Sequence, residues 1–118
     1  MDPNLKAAAA YLRRAAQSRR SEADDLRRQA AHVEDDKKQK LRQIKAEEQA
    51  RRVGIYKTDG DMQRADQMRE LNDLRNQELA TEREAAQHVQ QLQQDASNKE
   101  SDMNDLIQKA GELEQKAS

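Results

Sequence analysis

The sequence predicts an all-α protein, two long helices folded into an antiparallel, alanine-rich coiled-coil hairpin. Three observations carry this. First, 38% of the 118 residues are charged and there is no Phe, no Trp and only two Tyr, which leaves too little bulk for an ordinary globular core. Second, one Pro and three Gly in a chain dominated by Ala, Gln, Glu, Lys, Arg and Leu argue for helix over disorder. Third, apolar residues recur in rows that a narrow helical seam requires. The length allows a single domain over residues 1–118.

Asp2-Pro3 starts the first helix well. A carboxylate can cap the free N–H groups, and Pro at the first helical position loses nothing by lacking one. The one clear turn signal is Lys57-Thr58-Asp59-Gly60-Asp61, with Gly60 suited to a left-handed conformation and Asp61 to capping the next helix. The helices are therefore expected over about 3–57 and about 61–116, each on the order of 80 Å long at about 1.5 Å per residue.

In the first helix, Leu5, Leu12, Arg19, Leu26, Val33 and Lys40 form one row, and Ala9, Ala16, Ala23, Ala30, Lys37 and Ile44 the other. In the second, the rows are Leu71, Glu78, Ala85, Leu92, Lys99, Leu106, Leu113 and Met68, Arg75, Glu82, Val89, Ala96, Met103, Ala110, Ala117. Residues 1–57 hold 15 Lys/Arg against 9 Asp/Glu, while residues 58–118 hold 7 against 14. Halves of opposite charge joined by a short turn favour folding on each other.

One register sets Leu5 against Ala117, Leu12 against Ala110, Ala16 against Leu106, Leu26 against Ala96, Ala30 against Leu92 and Val33 against Val89. Ala9 meets Leu113, so nearly every layer pairs large with small. The same register gives the core ion pairs Lys40–Glu82 and Glu47–Arg75, and one poor layer, Ile44 against Glu78. Flanking contacts are Lys6–Glu114, Arg20–Glu100, Asp36–His88 and Leu41–Leu79. Sliding by a heptad sets Lys40 against Arg75, so the first register is preferred. Alanine layers bury little area, at roughly 25 cal/mol per Å². A second contact, such as a four-helix bundle formed with another hairpin, would use the off-seam residues Tyr11, Ala7, Val53, Met62, Leu74 and Ile107.

No catalytic site and no cofactor or metal site is expected. There is no cysteine, His32 and His88 lack converging ligands, and two helices give no shielded pocket to separate carboxylate pKa values. Asp59, Asp61 and Glu70 sit at calcium-loop spacing, but Arg64 occupies the position that needs Gly. The stripe Arg13, Arg14, Arg19, Arg20, Arg27, Arg28 suggests nucleic acid. The slightly acidic chain lacks stacking Phe or Trp, so solvated or acid-paired arginines are preferred. No run reaches the roughly 18 apolar residues of a membrane span, and no signal peptide is seen, which makes a cytoplasmic protein the default.

The chain resembles three known families in part, without matching any of them throughout. Tyr56 to Ala65 resembles the inner turn of a tetratricopeptide repeat in its Tyr, Gly-Asp and Ala, although it occurs once and between far longer helices. The plan is similar to WXG-type secretion substrates, without the Trp-containing turn. An acidic tip also resembles the hairpin factors that enter the secondary channel of RNA polymerase, which would make Asp59 and Asp61 the working acids; the second domain of those factors is missing.

The expected function is that of a non-enzymatic structural or adaptor protein, a coiled-coil rod for protein–protein interaction or self-association, with no small-molecule substrate. Partner contact is expected at the tip, through Tyr56, Asp59, Gly60 and Asp61. The runners-up are insertion of the acidic tip into a channel of a larger machine, and nucleic-acid association through the arginine stripe.

Overall fold

A computed structural model describes residues 2–57 and 60–118. It contains two long helices, α1 (Pro3–Lys57) and α2 (Asp61–Ala117), packed against each other as a hairpin. Asp2 caps α1, its Oδ1 accepting from the Asn4 N–H at 2.9 Å and the Leu5 N–H at 3.4 Å. At the start of α2 the structure differs from expectation. Gly60 has no positive φ, and its carbonyl accepts the Arg64 N–H at 2.9 Å. Gly60 is therefore the cap residue, while Asp61 is the first helical residue and places an acid at the positive end of the helix dipole.

The chain forms two compact units. In the first (residues 1–30 and 90–118), the deepest positions are alanines: Ala9, Ala16, Ala23 and Ala30 on α1, and Ala96, Ala110 and Ala117 on α2, all at most 6% exposed. Leu5, Leu12, Leu26, Leu106 and Leu113 are only half-buried, whereas Leu92 is buried. Alanine, with no side chain beyond Cβ, lets the helices close at those layers, and most leucines lie over the edge of the contact. Three interhelical ion pairs flank it: Arg13–Glu114, Arg27–Glu100 and Lys99–Glu22. The expected Lys6–Glu114 and Arg20–Glu100 pairs are replaced by Arg13–Glu114 and Arg27–Glu100, with the cation one heptad further along α1 in each case. Arg19 and Lys99, two cations on seam positions, are both satisfied by Glu22, at 3.1 and 2.7 Å.

In the second unit (residues 31–89) the strict heptad does not hold. Along α1 the buried or half-buried seam runs Val33, Lys37, Leu41, Ile44, Glu48; along α2 it runs Gln67, Leu71, Leu74, Glu78, Thr81, Ala85, Val89. Each helix takes two four-residue steps in succession, at 33–37–41 and at 81–85–89. An extra step of this kind locally unwinds the superhelix that a strict heptad would impose. Lys40, Glu47, Arg75 and Glu82 are consequently exposed, so the two expected core ion pairs are absent. Leu41, Glu48, Leu74 and Thr81 take their places, and Leu74, expected off the seam, is 7% exposed. Thr81 is satisfied by donating its hydroxyl to the Gln77 carbonyl at 2.7 Å. Leu79, expected to pack against Leu41, is 56% exposed.

Candidate functional site

The turn end of the hairpin is where the helices stop covering one another. Val53, Tyr56, Met62 and Met68 are all exposed there, Tyr56 at 91% and Met62 at 84%. The shaft below them is held by the Arg51–Glu70 ion pair at 3.0 Å between the helices. Gly54 lies close to the Gln67 side chain, which would stand 3.6 Å from a Cβ on that glycine. That is ordinary contact distance, and Gly54 has no positive φ, so neither crowding nor a bend requires glycine here. Of the four expected tip residues, Tyr56 and Asp61 are exposed and Gly60 is half-buried. Asp59 lies outside the described residues. Val53, Met62 and Met68 complete an apolar tip that the emphasis on acids passes over. Val53 and Met62 are off-seam residues expected to serve a second contact, whereas Met68 is expected on a seam row and is instead 58% exposed.

All twelve residues expected to form the seam are placed off the open surface. Ala16, Ala30, Leu92, Ala96 and Ala110 are buried, and Leu5, Leu12, Leu26, Val33, Val89, Leu106 and Leu113 are half-buried.

Two further features lie in the 31–89 unit. At the double four-residue step, Val33, Asp36, Lys37, Lys40, Thr81, Glu84, Ala85 and His88 line a groove of about 290 Å³. Val33 and Ala85 give it an apolar floor, with charged side chains around it. Nearer the turn, two acids meet on the seam. Glu48 is 6% exposed, and its Oε1 has no hydrogen-bond partner. Glu78 faces it from α2. Its pairing with the Glu48 carboxyl, which favours a proton held between the two, then burial, then the charge of Glu48 hold the Glu78 carboxyl above its ordinary value, against the opposing pull of Lys45 and Arg52. Elsewhere the ion pairs act in the usual direction. Arg13 lowers Glu114, and Lys99 followed by Arg19 lowers Glu22.

Among the described residues no three His, Asp or Glu side chains group as metal ligands. Residues 61–70 are helical, which excludes a calcium loop running through them. In the arginine stripe, Arg13, Arg19, Arg27 and Arg28 each pair with an acid. Among the described residues no helix is long and apolar enough to cross a membrane. Compared with protein-family models, with curated proteins and with solved structures, the chain finds no match in any of the three.

Proposed function

We propose that the chain is a non-enzymatic structural or adaptor protein, an antiparallel coiled-coil hairpin that docks a protein partner through its turn end. One observation carries the reading. Of the seven large hydrophobic side chains exposed among the described residues, four (Val53, Tyr56, Met62 and Met68) cluster on either side of the turn. Grouped apolar exposure marks contact surfaces, whereas scattered exposure is ordinary. A Tyr with two methionines offers a rigid anchor beside adaptable ones. The coiled-coil part of the reading is supported by buried positions that alternate steps of three and four, and by ion pairs from Arg13–Glu114 to Arg51–Glu70. A cytoplasmic location belongs to the same reading.

The test places a photo-cross-linking residue at Tyr56 and, as the shaft control, at Tyr11, which is 65% exposed. In the native cell, position 56 is expected to capture a distinct protein that position 11 does not. Met62→Ser should then weaken that complex by about 1 kcal/mol or more, roughly fivefold. Capture from position 11 alone would move the contact to the shaft and overturn the tip reading. Capture of a polymerase or pore subunit would favour channel insertion, and a nuclease-sensitive product would favour the arginine stripe.

A further inference from the structure

The seam near the turn carries a feature that partner docking does not use. Glu48 sits among the apolar layers of the 31–89 unit, one turn from Ile44, which is 5% exposed. Its Oε1 is closed off from solvent and accepts no hydrogen bond. The nearest cation, Arg52, stands 3.8 Å from the other oxygen, beyond hydrogen-bonding distance. Across the contact, Glu78 follows Leu74 by one turn, and Leu74 is 7% exposed. The charge of Glu48 already pushes the Glu78 carboxyl upward, so the two repel each other when both are ionised. With one proton between them, the O–H of one satisfies the orphan oxygen of the other.

We propose that Glu48 and Glu78 share one proton across the helix contact, so that mild acid tightens the 31–89 unit. The surrounding charges are accounted for. On α1, Lys45 and Arg52 favour the ionised form of Glu78, yet its carboxyl remains held above the ordinary 4.5. On α2, the charged residues one turn to either side, Arg75 and Glu82, are exposed. Glu48 Oε1 therefore has no other source of a hydrogen bond among the described residues. Because the folded state holds this proton more tightly than the unfolded chain does, stability rises as pH falls through the folded value toward the ordinary one. Proton sharing at the seam does not depend on where a partner docks.

A ¹³C NMR titration of the side-chain carboxyls in the full chain tests it directly. Glu78 is expected to titrate above its ordinary value, and Glu48→Gln should bring it back toward that value. The thermal midpoint of the parent should rise between about pH 7 and about pH 5, the range above ordinary carboxylate titration. Glu48→Gln and Glu78→Gln keep the side-chain shape and supply an N–H donor. Each should melt higher than the parent at neutral pH and lose most of that rise. Ordinary titration of Glu78 in the parent chain, which requires no variant to fold, would overturn the proposal. So would a Glu78 titration that Glu48→Gln leaves unmoved.

Discussion

Gly111 lies inside α2, half-buried, and a Cβ built on it meets nothing within 4 Å. A glycine in a helix interior carries extra conformational freedom in the unfolded chain and gives nothing back unless something packs close to it. Gly111→Ala should therefore stabilise the protein by about 0.5–1 kcal/mol, read from denaturant midpoints at constant m-value. At Gly54 a Cβ would instead gain ordinary contact with the Gln67 side chain, at 3.6 Å. At the same scale, Glu22 shows how one residue rescues two. Seam positions Arg19 and Lys99 look unfavourable by themselves, and a single carboxylate beside the seam makes both tolerable.

Each helix is held by what it presents in layers. In the 1–30 and 90–118 unit, the alanine layers leave no room for a larger side chain, since Ala96 and Ala110 are 0% exposed and Ala16 is 3% exposed. Ala16→Leu and Ala96→Leu should each cost about 1–3 kcal/mol, the usual penalty for overfilling a packed site. Ala31→Leu, at an exposed position, is the control and should change stability by less than about 0.5 kcal/mol. Calorimetric midpoints decide between these expectations, and a rise in both buried variants would mean that the helices have space to spare. The 31–89 unit should be less sensitive to overfilling at Ala85, which borders the groove at the double four-residue step.

For the whole chain, acid acts in two opposed directions. Glu22 and Glu114 have folded values below the ordinary 4.5, so the stability they confer is complete above that pH and is lost as pH falls through their folded values. Glu78 is held above 4.5, and its influence is already relieved before that decline begins. Stability should accordingly peak on the acid side of neutrality and decline below the peak. Circular dichroism melts across pH should trace this dome. At about 1 M salt, where the Debye length is about 3 Å, the acid limb should flatten, because the Arg13–Glu114 pair is exposed. A flat profile through the whole acid range would contradict both assignments.

Composition and spacing alone determined that the chain is helical, where the helices begin and turn, and which alanines and leucines lie along the contact over residues 1–30 and 90–118. These features are local: helix propensity, a capping Asp2, and a heptad long enough to leave little choice. Over residues 31–89 the local signal was ambiguous, and tertiary packing decided. A strict heptad puts Lys40, Glu47, Arg75 and Glu82 on the seam, where burying charge is costly. One extra step in each helix exchanges them for Leu41, Glu48, Leu74 and Thr81, bringing in two leucines and releasing four charged side chains to water while burying one, Glu48. The exchange also closes Glu48 against Glu78, a pairing that no row of sequence positions displays, because it exists only once both helices have shifted phase together. Ion-pair partners were likewise beyond local reading: α1 carries cations at both Lys6 and Arg13 and at both Arg20 and Arg27, and only the packed geometry selects Arg13 for Glu114 and Arg27 for Glu100.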